Sequence, residues 1–437
     1  MTVHQRVTEL IGNTPVLRLD PARHGIAGVD LHLKLEFLNP FGSVKDRVAW
    51  GMLRDHVDRL VREGTTLVEA SSGNTAKALQ VLAGLHGLAL EVVTNRVKVT
   101  EVRDVLLMLG TRFEELPGLS ECPDPTVPDD VFSVIEARMA AAPGRYFHTS
   151  QYTNEDNVRT HRETTGPEIH ADLPHVDVLV GGLGTTGSTR GAAEYLRSVR
   201  PGLQVLGVVA TAEDFIPGIR SESEMWDVGL FDKGLYDDIA AVRSADAVEE
   251  TFDLALRHGV LAGPTTGAAV RALRDAVARD PVPAGTTRTA VVIACDRLEG
   301  YVSYLRARRP QAFGDTGEHL LASVTPVDVA AVPPLLPADL WAAPAGRYLV
   351  VDTRGAMAYR VGHVPGALNI RDDHLEAMLA QGVPFPPDAR VVLVCPVGEY
   401  SARVAALLRR RGREALSLTG GVVAWRDAGF PLERSPS

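Results

Sequence analysis

Thiols are scarce in this chain of 437 residues, which has cysteines only at positions 122, 295 and 395. So few cysteines exclude a disulfide framework and a cysteine-rich metal site, and they are typical of a reducing compartment. Long apolar runs are missing too, so no segment is predicted to span a bilayer. The first six residues lack the basic and apolar regions of a signal peptide, and we therefore expect a cytoplasmic protein.

An excess of positive charge is also absent, because the formal net charge is -10 at pH 7. This balance argues against nucleic acid or an anionic membrane as a partner. The rest of the composition is that of an ordinary soluble protein, and the length allows more than one hydrophobic core. Lysine is rare, since only positions 34, 77, 98 and 233 carry it besides Lys45.

Lys45 stands in the segment NPFGSVKDR at 39–47, where a proline and a glycine break the chain and a serine precedes the lysine. The pattern predicts a helix that begins near Ser43, with Lys45 in its first turn. A helix N-terminus and burial both disfavour the ammonium form, which suits an amine that must attack a carbonyl. A surface lysine beside Asp46 explains the segment equally well.

Residues 66–89 have the pattern of a strand, a tight loop (SSGNT at 71–75) and an Ala/Leu-rich helix. Residues 31–35 alternate as a half-buried strand does, and residues 90–93 begin another strand. This succession predicts an α/β fold with helices on the faces of a sheet. Small polar residues at a helix start leave N–H groups and hydroxyls for a carboxylate, although an ordinary N-cap is the alternative.

A second unit of this kind begins with the apolar strand at 176–180 and continues with the loop GGLGTTGST at 181–189. Glycines let the backbone approach a ligand, and threonine hydroxyls at a helix N-terminus suit a phosphate. The loop is neither a Walker motif nor a dinucleotide fingerprint. A plain glycine-rich turn between strand and helix is the alternative.

A lysine, a carboxylate cradle and a phosphate cradle together describe a pyridoxal phosphate site. Residues 7–310 resemble the cysteine synthase and cystathionine β-synthase family, which has fold type II of the pyridoxal phosphate enzymes, with two α/β subdomains. The matching motifs are IGNTP (11–15), NPFGSVKDR (39–47), SGNT (72–75), QYTN (151–154), TGPEI (165–169) and GTTG (184–187). IPGIR (216–220) and CDR (295–297) are closer to the B-type than to the A-type O-acetylserine sulfhydrylase.

The resemblance implies a role for each matched position. Lys45 would form the Schiff base with the cofactor and move the α-proton of the substrate, and Asn74 would bind the cofactor's 3′ oxygen. The implied phosphate ligands are Gly184, Thr185, Thr186, Gly187 and Ser188, with Thr265 also near the cofactor. The implied ligands of the substrate carboxylate are Ser71, Ser72, Gly73, Thr75 and Gln151.

The chain departs from the family motifs in three places. Ala76 follows Thr75 where glycine is usual, which narrows the substrate loop. Cys295 and Asp296 stand in the segment that would face the pyridine nitrogen, where a carboxylate would favour a protonated ring and a thiol would not. The sequence leaves that choice open, and simple core packing is the plainer reading of Cys295. Residues 298–300 interrupt a Gly-acid-Arg pattern.

The chain changes character after the first 312 residues. Residues 313–324 are interpreted as a linker, residues 332–337 as further irregular chain, and residues 325–437 resemble a single-domain rhodanese. The matching motifs are DTR (352–354), GHVPGA (362–367), the loop that starts at Cys395, and Gly420-Gly421 before Trp425. Cys395 would carry a persulfide. Its loop has Glu399 and Tyr400 where an arginine is frequent, which argues against thiosulfate as the sulfur donor.

The sequence therefore predicts β-replacement on O-acetyl- or O-phospho-L-serine by a sulfur nucleophile, with Cys395 relaying sulfur from a small-molecule or protein persulfide. Arg220 would help to select the leaving group or the second substrate, although a solvated loop arginine is as good an interpretation. The rival functions are cleavage of cysteine with transfer of its sulfur to Cys395, addition of an amine, and a rhodanese unit that only docks or regulates. A homodimer is expected.

Overall fold

The computed structural model describes residues 3–71, 73–94, 99–116, 130–212, 214–227, 229–313, 321, 323–344 and 346–434. Ser72 and Cys122 lie outside these ranges. The chain divides into two compact units, residues 1–313 and residues 314–437. Each unit is built on its own sheets and is described by itself.

The first unit contains two sheets of mainly parallel strands. In chain order the strands are β1 (Val16–Arg18), β2 (Val29–Lys34), β3 (Thr66–Ala70), β4 (Ala89–Thr94), β5 (Arg112–Glu115), β6 (Tyr146–His148), β7 (Val178–Gly182), β8 (Gln204–Ala210), β9 (Asp238–Val242) and β10 (Arg288–Ile293). The larger sheet has the order β1-β2-β10-β7-β8-β9, and only β1 runs antiparallel to its neighbour. The smaller sheet has the order β5-β4-β3-β6 and is parallel throughout.

Helices cover these sheets, as parallel strands require, because each crossover must pass over a face. They are α1 (Pro21–His24), α2 (Lys45–Leu53), α3 (Val57–Glu63), α4 (Asn74–His86), α5 (Thr100–Met108), α6 (Val131–Ala141), α7 (Glu155–Glu163), α8 (Thr165–Asp172), α9 (Gly187–Val199), α10 (Ser244–His258), α11 (Pro264–Arg279) and α12 (Val302–Arg308). The predicted α/β class is therefore confirmed. In the described part of the chain, no helix combines the length and the apolar character needed to cross a membrane.

Strand β2 differs from its prediction. Residues 31–35 were expected to form a half-buried strand, but β2 is almost fully buried, including its polar residues His32 and Lys34. The reason is its position, since β2 lies between β1 and β10 and both of its faces are covered. Alternating polarity in this strand therefore marks buried charge and not exposure to solvent.

A buried cluster of charges joins β2 to α2 and α8. Arg47 on α2 donates to Glu36 at 2.7 and 2.9 Å and to Glu168 on α8 at 2.7 and 2.6 Å. Lys34 at the end of β2 pairs with Glu168 at 2.8 Å. Burial alone would raise the pKa of Glu168, but the two cations outweigh it and lower that pKa to about 2. The cluster fixes α2, whose first residue is Lys45.

The second unit has one five-stranded parallel sheet in the order β11-β15-β14-β12-β13. Its strands are β11 (Pro334–Leu335), β12 (Leu349–Asp352), β13 (Leu368–Asn369), β14 (Val391–Val394) and β15 (Ala415–Leu418). Its helices are α13 (Pro326–Ala330), α14 (Pro337–Trp341), α15 (Ala356–Val361), α16 (Asp372–Gln381), α17 (Glu399–Arg410) and α18 (Gly421–Asp427). Separate apolar clusters cover the two faces of the sheet, and Trp425 is buried in one of them.

Residues 332–337 are only partly the irregular chain that their prolines suggested, because residues 334–335 form a strand and residue 337 begins a helix. Pro334 lies in β11, an edge strand where its missing N–H costs no ladder bond, and Pro337 is the first residue of α14. Pro334 and Pro337 therefore mark an edge strand and a helix start. Irregular chain was predicted here because prolines at a strand edge and at a helix start look the same in sequence as prolines in a loop.

We predict that Arg47→Met destabilises the first unit by about 3–5 kcal/mol, because it leaves the buried carboxylate of Glu36 without its cation and Glu168 with Lys34 as its remaining cationic partner. Chemical denaturation followed by circular dichroism measures the loss. Arg59→Met is the control, since Arg59 and Glu63 form an ion pair at 2.9 Å with both side chains nearly half exposed, and its removal is expected to cost less than about 1 kcal/mol. Equal losses in the two variants would contradict a special role for the buried cluster.

Candidate active sites

A cleft opens in the first unit at the carboxyl ends of β3, β7 and β10, where the chain turns into loops and helix starts. Ligands of parallel α/β sheets bind at such ends. The cleft brings together nearly all predicted site residues that the structure describes in this unit, namely Lys45, Ser71, Gly73, Asn74, Thr75, Gln151, Gly184, Thr185, Thr186, Ser188, Arg220, Thr265, Cys295 and Asp296. Gly187 is the first residue of α9 directly behind them.

Lys45 is held by the turn that precedes α2. The N–H of Val44 donates to the carbonyl of Cys295 at 2.8 Å, and Ser43 forms a β-bridge with Asp296. Ser43 Oγ accepts the Lys45 N–H at 3.2 Å and donates to Asp46 at 3.2 Å. The turn is thereby joined to the end of β10, and the Lys45 side chain reaches the cleft from a fixed backbone.

The predicted carboxylate loop lies between β3 and α4. Ser71 Oγ accepts N–H groups of Gly73 at 3.3 Å and Ala76 at 3.2 Å, while Thr75 donates to Gln151 Oε1 at 2.6 Å. Gln151 in turn donates to the Ala70 carbonyl at 2.9 Å. The first N–H groups of α4 have no intrahelical acceptor by position, so the loop offers donors to an anion.

The predicted phosphate loop joins β7 to α9 and is tightly packed. A Cβ at Gly184 would lie 2.6 Å from the carbonyl oxygen of Gly218, and one at Gly187 would lie 2.1 Å from Asn157 Oδ1. Thr186 has φ +66°, a left-handed conformation that is uncommon for a residue other than glycine. The loop is therefore specified by close contacts on both sides.

Pyridoxal phosphate fits this cleft. Thr186 and Ser188 line the cleft at the start of α9, next to loop glycines that have no room for a Cβ, and the first N–H groups of this helix have no intrahelical acceptor by position. A phosphate at this helix N-terminus would supply acceptors for them. Lys45 opens into the same cleft.

Asn157 on α7 was missed by the sequence analysis. Its Nδ2 donates to the Gln151 carbonyl at 2.9 Å and to Thr185 Oγ1 at 3.0 Å. It therefore ties the carboxylate side of the cleft to the phosphate loop. No local signal could have found it, because its two contacts lie in different loops.

Asn74, Asp296 and Tyr301 form a polar group on one wall of the cleft. Asn74 Nδ2 is 2.8 Å from Asp296 Oδ2 and 3.0 Å from the Tyr301 hydroxyl, which donates to the same Asp296 oxygen. Tyr301 was not predicted, although it follows the CDR motif by four residues. Burial raises the pKa of Asp296 and raises the pKa of Cys295 to about 12, so the Cys295 thiol stays protonated.

Arg220 and Thr265 also line the cleft. Arg220 is buried, donates to the Glu224 carbonyl at 2.9 Å and lies 4.9 Å above the ring of Tyr152. The flexible, solvated turn considered from the sequence is therefore a packed one. Thr265 donates to the Pro217 carbonyl at 2.7 Å, which joins α11 to the segment that carries Arg220.

In the second unit, Cys395 directly follows β14, the central strand. Its buried Sγ accepts N–H groups of Gly398 at 3.1 Å and Ser401 at 3.5 Å, and the Ser401 hydroxyl donates to it at 3.2 Å. Gly398 has φ +91°, which lets the loop curl around the sulfur. Converging donors of this kind stabilise a thiolate.

Acidic side chains surround the position where the rhodanese pattern often has an arginine. Tyr400 donates to the Asp372 carbonyl at 3.2 Å. Burial, and then the charges of Glu376, Asp372 and Asp373, raise the pKa of Tyr400. The exposed Glu399 adds a further carboxylate to the Cys395 loop. Several carboxylates therefore lie near Tyr400 and on the loop that starts at Cys395.

Comparison with known families agrees with these two sites. Residues 7–296 match the family of pyridoxal-phosphate dependent enzymes. The chain belongs to this family, and pyridoxal phosphate is its cofactor. Residues 336–428 match the rhodanese-like domain.

Within the family, the chain is similar to cysteine synthases. It is 32% identical over 305 residues to cysteine synthase B of Escherichia coli strain K12, which covers 68% of this chain and 93% of the relative. A hydrogen sulfide-producing enzyme of Fusobacterium nucleatum has 28% identity and a TM-score of 0.61, covering 69% of this chain and all of that one. An O-acetylserine dependent cystathionine β-synthase of Helicobacter pylori has 26% identity and a TM-score of 0.60, covering 69% and 98%.

We predict that Gly184→Ala weakens cofactor binding, because the new methyl group meets a backbone oxygen that cannot move away cheaply. Overpacking of this kind costs about 1–3 kcal/mol, which corresponds to about a 5- to 150-fold loss of affinity for pyridoxal phosphate. Absorbance titration of the apoprotein measures it. Gly202→Ala is the control, since a Cβ there has nothing within 4 Å; equal affinities in the two variants would refute the packing argument.

Proposed function

We propose that the first unit catalyses β-replacement on an activated L-serine, O-acetyl- or O-phospho-L-serine, with a sulfur nucleophile, so that the product is L-cysteine or an S-substituted relative. The observation that carries this proposal is the cleft that unites Lys45, the donor loop of α4 and the phosphate loop of α9. The similarity to cysteine synthase B over most of that protein's length supports the same reaction class.

The residues of the cleft divide the work. Ser71, Thr75, Gln151 and the first amides of α4 hold the substrate carboxylate, which fixes Cα near Lys45. Ser72 and Gly73 belong to the same loop, although Ser72 lies outside the described residues. Gly184, Thr185, Thr186, Gly187 and Ser188 hold the cofactor phosphate.

Lys45 binds the cofactor and takes the α-proton of the substrate as a general base. The cofactor, when bound, draws electron density away from Cα and so makes that proton acidic. Buried Cys295 stays a neutral thiol beside Lys45, and the turn before α2 holds the amine in place. The leaving group departs from Cβ, and the nucleophile then bonds there.

Arg220 is proposed to recognise the leaving group or the second substrate. Its guanidinium lines the cleft above Tyr152, and a guanidinium suits an oxyanion. The rival reactions are cleavage of cysteine and addition of an amine. The hydrogen sulfide-producing relative keeps the first rival open as an outcome of substrate tests.

The second unit is proposed to relay sulfur. A persulfide RSS⁻ would transfer its outer sulfur to the Cys395 thiolate, releasing RS⁻ and leaving a Cys395 persulfide. The outer sulfur then bonds to Cβ of the substrate, which gives a mixed disulfide between Cys395 and the product. Two small thiols resolve it by exchange, becoming a disulfide and freeing both cysteine and Cys395. A short flexible linker that spans the sites would raise the effective concentration to about millimolar.

The remaining proposals concern organisation. We place the enzyme domain at residues 1–312, a linker at 313–324 and the rhodanese domain at 325–437. The protein is proposed to be a cytoplasmic homodimer. The anionic surroundings of Tyr400 favour a neutral, cationic or protein-bound persulfide as the donor.

Lys45→Ala is expected to abolish β-replacement, with a loss of at least about 10²–10⁴-fold from removal of the general base alone, and to remove the borohydride-reducible link to the cofactor. Mass spectrometry after reduction and a sulfide-driven assay with O-acetyl-L-serine and O-phospho-L-serine measure both effects. Lys233→Ala, at an exposed position, is the matched control. A reducible adduct and turnover in Lys45→Ala would show that another amine is used.

Cys395→Ser in the full-length protein is expected to leave sulfide-driven synthesis within about twofold of wild type, because Cys395 lies outside the cofactor cleft, and to remove synthesis driven by a persulfide donor. The donor arm uses 2-hydroxyethyl persulfide with excess thiol. Because thiol and persulfide exchange to a disulfide and free sulfide, the sulfide formed in a matched enzyme-free blank is measured, and the synthesis that this amount of sulfide supports is subtracted. If both activities persist unchanged, the second unit does not relay sulfur in this reaction, and the docking or regulatory interpretation takes its place.

A further inference from the structure

The sequence leaves open which group the carboxylate of Asp296 contacts. In the sequence it stands in the segment expected to face the pyridine nitrogen of the cofactor. In the structure it is 5% exposed and makes its hydrogen bonds to protein groups. Its Oδ2 accepts from Asn74 Nδ2 at 2.8 Å and from the Tyr301 hydroxyl.

The two acceptors of Asn74 lie on the same side of its amide nitrogen. Asp296 Oδ2 and the Tyr301 oxygen are hydrogen-bonded to each other, and each is within 3.0 Å of Asn74 Nδ2. The two N–H bonds of an amide point about 120° apart, so these close neighbours share one of them. The second N–H remains for a ligand in the cleft, which Asn74 lines.

The second carboxylate oxygen of Asp296, Oδ1, lies close to the backbone of Gly263. A Cβ built on Gly263 would lie 2.2 Å from Asp296 Oδ1, and Oδ1 has no hydrogen-bond partner among the described residues. The Gly263 N–H donates to the Asp296 carbonyl at 2.8 Å, which fixes this approach. Both oxygens are thus oriented by protein contacts, one toward Asn74 and Tyr301 and the other toward Gly263.

The charges near Asp296 come from several elements. Lys45 belongs to α2, Lys77 to α4, and both attract the carboxylate, while Tyr301 and Asn74 donate to it. The pKa of Lys77 is lowered by burial, against the charges of Asp46 and Asp296. Burial outweighs these attractions and raises the pKa of Asp296, so its hydrogen bonds to Asn74 and Tyr301 set its position.

We propose that Asp296 is a positioning residue for Asn74: with Tyr301, its Oδ2 fixes the Asn74 amide so that it presents an N–H, and not its carbonyl, to the 3′ oxygen of pyridoxal phosphate. The proposal rests on the role that the family resemblance implies for Asn74, and it assigns Asp296 to the recognition of the 3′ oxygen instead of the pyridine nitrogen. Without Asp296 Oδ2, the Asn74 amide can turn and point its own carbonyl oxygen at the 3′ oxygen of the cofactor.

The experiment compares the affinity of the apoprotein for pyridoxal phosphate and for 3-deoxypyridoxal 5′-phosphate, which lacks the 3′ oxygen. Wild type is expected to bind pyridoxal phosphate about 10- to 100-fold more tightly than the 3-deoxy analogue, which is the usual range for one hydrogen bond to a charged oxygen. Asp296→Ala is expected to lower the ratio to about threefold or less. Asp296→Asn keeps an acceptor oxygen, so its ratio should stay within about threefold of wild type.

Comparison of single and double variants isolates the energetic coupling between Asn74 and Asp296. Asn74→Ala should by itself abolish the preference for pyridoxal phosphate over the 3-deoxy analogue. Adding Asp296→Ala to this variant should change that preference no further. Tyr301→Phe should give an intermediate ratio, since one of the two groups that fix the amide remains. Gly263→Ala should mimic Asp296→Ala, because its methyl group displaces the carboxylate without removing it, and Gly202→Ala serves as its control.

Two results would overturn the proposal. If Asp296→Ala weakens both ligands equally and leaves their ratio intact, Asp296 acts on the ring or on the fold and not through Asn74. If Asp296→Asn loses affinity as severely as Asp296→Ala, the charge itself is required, as a partner of the ring nitrogen would be. The measurement needs no substrate, so its outcome is independent of whether β-replacement is the reaction.

Discussion

The ion cluster around Arg47 fixes the position of Lys45, the proposed reactive amine. Arg47 is two residues from Lys45 in the same helix turn, and its guanidinium bridges Glu36 after β2 to Glu168 on α8. A buried pair of this kind is a poor source of net stability, because desolvation consumes most of the Coulomb gain. Its value lies in geometry, since five fixed N–H donors admit few arrangements of two carboxylates. The geometry of this cluster therefore also fixes the start of α2 and, with it, the position of Lys45.

The two units use the same principle with different chemistry. Parallel strands end together at one edge of a sheet, and the loops and helix starts that follow them supply N–H groups to a ligand or a sulfur. In the first unit this edge offers donors to two anions and places an amine between them. In the second unit the same edge directs N–H groups at the sulfur of Cys395.

Much of the first site was predictable because its groups are local in sequence. Lys45, the loop at 71–75 and the loop at 184–188 each combine a break, small polar residues and a helix start, and the structure brings nearly all the described ones to one cleft. The contacts among these groups were not predictable. Asn74 and Asp296 are separated by 222 positions, and Asn157 joins loops that local patterns treat separately. Strand β2 was misjudged for the same reason, since only its neighbours in the sheet show that both faces are buried.

The cleft lies between two sheets that form separate apolar cores. Asn74 and Ser71 belong to the side built on the smaller sheet, whereas Gly184 and Thr265 belong to the larger one. A cofactor held by both sides is therefore also a cross-link between two halves of one unit. By mass action, a ligand present at a hundred times its dissociation constant adds about 2.7 kcal/mol to the stability of the folded form. The cellular supply of the cofactor thus acts on how long the enzyme persists as well as on how fast it works.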